Sequence, residues 1–374
     1  MLAHFGTFDV ENYGDLLFPL LVKRRMASIG IECVHVSPTG TTSPWRDALP
    51  SVSIEEARQM EVAFTSIIVG GGNILRDSPT SLSLYVSSSC ATGRAMAYSA
   101  LWRSAFSIAR RRRIPLCWNA VGVPGPINTS FATSVRRGAR LSNYISVRDR
   151  HSRNNLLDCG VSGPVRVVPD TALGICDLWS VRELCEAYAH LFGASSKPVP
   201  ERVLAISVKR KYLTASPPEV GAVLDHLGNH LNATPVLLAL GSCHGDVEVA
   251  RSVAQYMKSK PILPTPRSLK EIAACIGHAV QYVGSSLHGA ITAVSFGVPI
   301  TIVANEELVP FHKFSGFLQQ VGMNDALVRS WDDVSGSLRS HYQKTFKQGS
   351  LNSAFTIIET HWRDLCDALR NESR

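Results

Sequence analysis

Short apolar runs separated by longer amphipathic stretches recur along most of this 374-residue chain, and no other feature limits its folds so tightly. A run such as VLAISV (Val203–Val208) carries no polar alternation. Both of its faces must therefore be buried, which is the condition of a strand in a parallel sheet covered by helices. Similar runs in the first half lie around Met1–Phe5, Cys33–Val36, Ser66–Val69, Leu116–Ala120, Tyr144–Val147 and Val165–Val168, with helices fitting at Leu16–Ile29, Ser99–Arg112 and Arg150–Asp158. A second series follows. Its strands are Val203–Val208, Thr234–Leu240, Ala279–Val283 and Pro299–Val303, and its helices are Pro218–Leu231, Val247–Met257 and Leu287–Phe296. Between the two series, Phe192–Arg202 (FGASSKPVPER) has a linker's composition. The pattern predicts an α/β fold of two Rossmann-like domains, residues 1–191 and 203–345, joined by a linker at about 192–202 and facing a central cleft. A last amphipathic stretch, Ser353–Leu369, is placed to pack back on the first domain.

Composition agrees with that division: 45% hydrophobic and 18% charged residues suit two globular cores. The formal net charge of +8 favours acidic ligands. Part of the excess is the run Arg110–Arg113, followed by Arg136, Arg137 and Arg140. A basic run ahead of a strand reads as a helix C-terminus complementing its dipole, with a peripheral contact to anionic membrane lipid as the other reading. No nucleic-acid motif accompanies it, so no nucleic-acid partner is expected. Nine cysteines, widely spaced and without a CxxC pair, suggest reduced thiols and neither a disulfide framework nor a zinc site. No apolar stretch approaches a membrane span and the N-terminus lacks a signal-like core, so the expected location is the cytoplasm, with the inner membrane face kept open. Oligomeric state is not legible.

Four blocks concentrate polar residues where parallel strands end, the edge at which such sheets bind ligands. After the first strand comes GTFDVENYGD, in which Asn12, Gly14 and Asp15 open a helix; Asn12 and Asp15 suit helix capping as well as ligand contact. After Val69 come Gly70, Gly71, Gly72 and Asn73, then Arg76 and Asp77, where consecutive glycines point to a close backbone approach. After the Tyr144–Val147 run, Arg148 can meet a phosphate or carboxylate or pair with Asp149 or Asp170, and Lys209-Arg210-Lys211 repeats the cationic mouth in the second half. The fourth block, GSSLHGAI, sets Ser285 and Ser286 as caps, with His288 and Gly289 in the first helical turn. A phosphate bound at that helix end favours a protonated imidazole, which makes His288 a general-acid candidate. The string Cys243-His244-Gly245-Asp246 reads as a turn after a strand and needs no catalytic explanation.

Taken in order, NYGD, GGGN, ISVRD, VPD and GSSLHGAITAVSFGVPI resemble the polysaccharide pyruvyltransferase family from residue 6 to about 303. The resemblance implies a GT-B-like fold and the transfer of a pyruvyl group from phosphoenolpyruvate to two hydroxyls of a sugar, in a polysaccharide or its lipid-linked precursor, giving a cyclic ketal. It also implies roles. His288 is the acid, and Asp15 and Asp170 are the other catalytic candidates. Arg148, Lys209, Ser285, Ser286, His288 and Gly289 would hold phosphoenolpyruvate; Asn12, Gly14, Gly71, Gly72, Asn73 and Asp77 would line the cleft or position the acceptor saccharide. No cofactor beyond the donor substrate and no metal site is expected, although Asp15 and Asp170 could recruit a cation. Two positions depart from the family pattern: Ser286 stands where many members carry Arg, and Lys209 where Arg is frequent. A nucleotide-sugar glycosyltransferase of the same architecture is the rival reading, with Glu306 or Glu307 available to a ribose, and a non-catalytic glycan- or lipid-phosphate-binding protein is a third.

Overall fold

The computed structural model describes residues 1–40, 43–60, 63–76, 93–193, 199–307, 312–336 and 348–370. Asp77, Cys90, the middle of the linker and the boundary near residue 345 lie outside these residues.

Two wholly parallel sheets carry the fold. The first has seven strands: β1 (Leu2–Phe5), β2 (Cys33–Ser37), β3 (Val52–Ser53), β4 (Ser66–Gly70), β5 (Leu116–Val121), β6 (Tyr144–Val147) and β7 (Arg166–Val167), in the order β3-β2-β1-β4-β5-β6-β7. The second has five: β8 (Val203–Ser207), β9 (Thr234–Leu237), β10 (Gln281–Gly284), β11 (Ile300–Val303) and β12 (Leu327–Val328), in the order β12-β11-β10-β8-β9. Strands β1, β4, β5, β6, β8 and β10 are buried along their whole length, which is why their mostly apolar sequences lack polar–apolar alternation. The crossovers from β3 to β4 and from β9 to β10 reverse the direction of winding in each sheet, and the resulting switch points, between β1 and β4 and between β8 and β10, fix where a ligand crevice opens.

Helix limits follow local chemistry. Helix Gly93–Arg112 ends on Arg110, Arg111 and Arg112, so the basic run complements a helix dipole. Helix Pro217–Leu231 opens on a Ser216/Glu219 capping box and stops at Asn232, whose φ of 47° is left-handed. Five helices exceed the sequence reading: Ile54–Gln59, Thr129–Leu141, Val181–Gly193, Leu269–Gly277 and Lys313–Val321. The last of these reaches the ligand crevice.

A single apolar cluster runs through both sheets' neighbours, from Leu2 and Phe18 to Ile291, Phe314 and Leu365. Helix Leu287–Ser295 of the second domain packs on the 3₁₀ segment Thr171–Asp177 of the first, where Ser295 Oγ donates to the Leu173 carbonyl (2.7 Å) and Tyr13 Oη lies 3.0 Å from Thr292 Oγ1. The halves are thus locked at the helix that carries His288. Helix Gln348–Arg370 returns to the first sheet beside β5 and β6. There the His361 ring, held down to about 3 by burial, bridges Tyr144 Oη and Asn119 Oδ1, each at 2.8 Å. No helix among the described residues is long and apolar enough to cross a membrane.

Candidate active site

The strand ends of both sheets converge on a cavity of about 370 Å³ between the domains. Thr7, Asn12, Asp15, Gly72, Asn73, Arg76, Tyr98 and Arg148 line it from the first domain. From the second come Lys209, Arg210, Lys211, His244, Asp246, Ser286, Leu287, His288 and Lys313. Six lysine and arginine side chains therefore face two carboxylates, Asp15 and Asp246. Such an excess in a partly enclosed space is favourable only when an anion shares it.

His288 sits at the centre. Its helix starts after the extended residue Ser286, whose side chain makes no capping bond, and the opposite helix Tyr13–Ala27 likewise receives no side-chain cap from Asn12. Two helix N-termini thus reach the cavity with capping left to a ligand. The His288 ring packs edge-on against Phe18 with centroids 5.5 Å apart, and its Nε2 is 3.6 Å from Asp170 Oδ2. Gly14 makes room for it. A Cβ built on Gly14 would lie 1.8 Å from His288 Nδ1, so only glycine lets the first helix pass this close.

The two carboxylates beside His288 are driven apart. Burial raises Asp15, and His288, Asn12, Arg148 and Lys313 only partly offset it. Burial also acts to raise Asp170, but His288, Arg148 and the Ala172 N–H outweigh it and hold that carboxyl low. Asp170 therefore stays anionic against the imidazole, while Asp15 is the carboxylate that takes a proton readily. Opposed environments of this kind assign acid–base roles.

Arg148 is 5% exposed and fastened on three sides. It donates to Asn73 Oδ1 and to Asp170 Oδ2 (3.3 Å), and its Nε is 3.6 Å from Asp149 Oδ2. Gly122 permits this: a Cβ there would meet Asn73 Oδ1 at 2.4 Å and Arg148 Nε at 2.9 Å. Across the cleft, Lys209 Nζ donates to Asp246 Oδ2 at 2.8 Å. Burial, then Lys209 and Arg76, lower Lys211 to about 8. Burial, then Lys211, Arg148 and Lys209, lower Lys313 far more, despite Glu306. Burial and the charges of Lys209, Lys313 and Lys211 hold His244 at about 4, so it is a neutral imidazole. Arg148 Nε, Asp246 Oδ1 and His288 Nε2 are buried without a hydrogen-bond partner, a concentration of orphaned atoms on lining residues that marks a binding site rather than a packing seam.

The lysines give a pH prediction. An anion favours the charged ammonium, whose proton Lys211 gives up at about 8 in the free protein. Affinity for a small anion is therefore expected to be maximal below that pH and to fall as pH rises through it. Titration calorimetry with inorganic phosphate between pH 6.5 and 9.5 checks this; affinity constant across that range would remove Lys211 from the site.

The polysaccharide pyruvyl transferase family model matches residues 12–307, which contain every cavity-lining residue except Thr7 and Lys313. The chain belongs to the polysaccharide pyruvyl transferase family. No curated protein matches the sequence. Among solved structures, the transferase is similar to UDP-GlcNAc 2-epimerase from Methanocaldococcus jannaschii, with TM-score 0.58, 12% identity and 96% and 100% of the two chains covered. It is also similar to Anabaena Alr3699/HepE, solved with UDP-glucose, with TM-score 0.57, 10% identity and 98% of each chain covered. The Neisseria meningitidis epimerase bound to UDP-GlcNAc follows at TM-score 0.51, 11% identity and 97% and 99% coverage. At these identities the likeness gives the fold, and the fold of the transferase is GT-B-like.

Several sequence expectations change in the folded transferase. Asn12 does not cap its helix; Nδ2 donates to Asp15 Oδ2 at 2.8 Å and steers that carboxylate. Ser285 is not among the residues lining the cavity; its Oγ accepts the Lys209 N–H at 2.8 Å and so sets the turn that aims Lys209. Gly289 is a packing glycine, since a Cβ would meet Tyr282 Oη at 2.3 Å, and Gly71 is one against Phe18. Gly72 does line the cavity. The turn containing His244 and Asp246, read as needing no catalytic role, forms part of the wall. Glu306 accepts from Phe314 N–H (2.9 Å) and Ser315 N–H, fixing the start of helix Lys313–Val321, and Glu307 pairs with Arg329. Neither glutamate lines the cavity, so the carboxylate assigned to a ribose is already committed elsewhere. Tyr98 and Lys313 were missed. Among the described residues, no group of three His, Cys, Asp or Glu is placed to hold a metal ion.

Proposed function

We propose that this transferase moves the pyruvyl group of phosphoenolpyruvate onto two hydroxyls of an acceptor saccharide, forming a cyclic ketal. The observation that carries the reading is the cationic cavity lined by His288 and Asp15, with Asp170 buried 3.6 Å from the imidazole. Phosphoenolpyruvate carries a phosphate and a carboxylate on one small carbon skeleton. Cations from both domains, Arg148 and Arg76 on one side and Lys209, Lys211 and Lys313 on the other, suit those two anions. Lys313 and Lys211 also supply, from other segments, the charge that the family pattern expects at Ser286.

In this reading His288 gives its proton to the methylene carbon, and cationic character develops at the carbon bearing phosphate. Asp170, held anionic, supports the imidazolium before that transfer. The first sugar hydroxyl attacks the cationic carbon and its proton passes by way of Asp15 to restore His288. The C–O bond to phosphate then breaks, the second hydroxyl attacks the same carbon, and its proton leaves with phosphate as hydrogen phosphate. One proton from each hydroxyl is thus accounted for, one on the new methyl group and one on phosphate. Positioned acid–base groups of this kind contribute roughly 10²–10⁴-fold to rate.

Ligand-dependent melting tests the reading, because a ligand binding only the folded state raises Tm with concentration. At 100 times its dissociation constant, phosphoenolpyruvate should add about 2.7 kcal/mol of stability, and Lys211→Ala should reduce the shift. Stabilisation by UDP or GDP with no response to phosphoenolpyruvate would overturn pyruvyl transfer in favour of a nucleotide-sugar donor.

A further inference from the structure

Beside the central cavity, and separate from it, a groove of about 580 Å³ opens between the loop after β2 and the outer edge of β9. Its floor is apolar, made by Trp45 (8% exposed), Leu237 and Ala250, and its rim is stiffened by Pro264 and Pro266. Three guanidiniums, Arg46, Arg251 and Arg267, stand around it, and among the described residues no carboxylate lines it. Among the described residues none of the three has an ion-pair partner. The walls belong to different domains and are tied together, since Arg46 N–H donates to the Arg267 carbonyl at 2.9 Å. Asp47 caps helix Leu269–Gly277 through the Leu269 and Lys270 N–H groups at 2.7 and 2.9 Å. The groove is therefore preformed.

The partition between groove and cavity is one short segment. Ser242 and Val247 face the groove, while His244 and Asp246 face the cavity. A molecule held in the groove lies directly across that partition from the donor. An aromatic and aliphatic floor suits the C–H face of a sugar ring, and a fork of unpaired arginines suits a phosphate on the same molecule. We infer that this groove is a binding site for a saccharide bearing a phosphate or diphosphate group. That binding does not depend on the pyruvyl-transfer reading.

The test is titration calorimetry with glucose 1-phosphate and, in parallel, inorganic phosphate, on the full chain. The wild type should bind glucose 1-phosphate more tightly than phosphate, because only the sugar uses the Trp45 floor. Arg251→Ala and Arg267→Ala should each weaken glucose 1-phosphate by about tenfold or more. The phosphoenolpyruvate-induced Tm shift should be unchanged in both variants, which also shows that they fold. Lys211→Ala should do the reverse, weakening phosphoenolpyruvate and leaving glucose 1-phosphate alone. The inference falls if glucose 1-phosphate does not bind, if it binds no better than phosphate, or if its binding follows Lys211 rather than Arg251. Retention of groove binding in a protein indifferent to phosphoenolpyruvate would remove pyruvyl transfer and keep the phosphorylated-saccharide site.

Discussion

Replacing His288 by alanine is expected to lower turnover by roughly 10²–10⁴-fold while the phosphoenolpyruvate-induced Tm shift changes little. The cations lining the cavity remain in that variant, so the donor still binds. What is lost is the imidazole that faces the buried anionic Asp170 across 3.6 Å. His244 cannot take its place, because it is held neutral down to about 4 by burial and by Lys209, Lys313 and Lys211. His288→Gln separates chemistry from packing. Glutamine fills much of the space against Phe18 and carries an N–H toward Asp170, but it has no proton to give to carbon. Measurement of kcat for both variants decides the matter: equal losses support a proton donor, whereas a His288→Gln enzyme retaining most of its turnover would reduce His288 to a packing residue.

Gly14→Ala should come close to that result without touching a titratable group. The added methyl would lie 1.8 Å from Nδ1, 2.2 Å from Cγ and 2.6 Å from Cε1 of His288. Because the clash involves the body of the ring, no small side-chain adjustment relieves it, and the imidazole must swing away from Asp170. A misplacement of about 1 Å can cost on the order of 10²-fold in rate, and that is the expected loss. Stability should move little in the other direction, since alanine is favoured over glycine inside a helix by about 1 kcal/mol. Gly71→Ala provides the contrast. Its φ of +92° and its contact with Phe18 predict a destabilised protein, so it should lose Tm. Wild-type turnover in Gly14→Ala would show that catalysis does not need the imidazole where the structure puts it.

Much of this architecture was visible in the sequence because buried parallel strands have little choice of residue. The runs that form β1, β4, β5, β6, β8 and β10 were legible for that reason, and with them the positions of Asp15, Asn73, Arg148, Lys209 and His288 at strand ends. Helix Thr129–Leu141 was not legible: its apolar face is thin, with Ala132, Val135 and Ala139, and its arginines read as a charge run. Lys313 and Tyr98 escaped notice because each reaches the cavity from a helix whose own sequence carries no sign of a ligand. The packing role of Gly14 was hidden for a related reason. The string containing Gly14 says that glycine is wanted, but the residue that requires it, His288, is more than 270 positions away. Only folding brings the two together. The same holds for Glu306, whose carboxylate looked available until helix Lys313–Val321 supplied the two N–H groups that occupy it.

Helix Gln348–Arg370 lies on the first sheet although it is encoded after the whole of the second. On the ribosome, residues 1–193 must therefore wait, with the polar ends of Asn119 and Tyr144 uncovered, until about another 150 residues have been made. An N-terminal fragment expressed alone would expose that surface, so exchange of the first domain between relatives has to carry residues 348–370 with it.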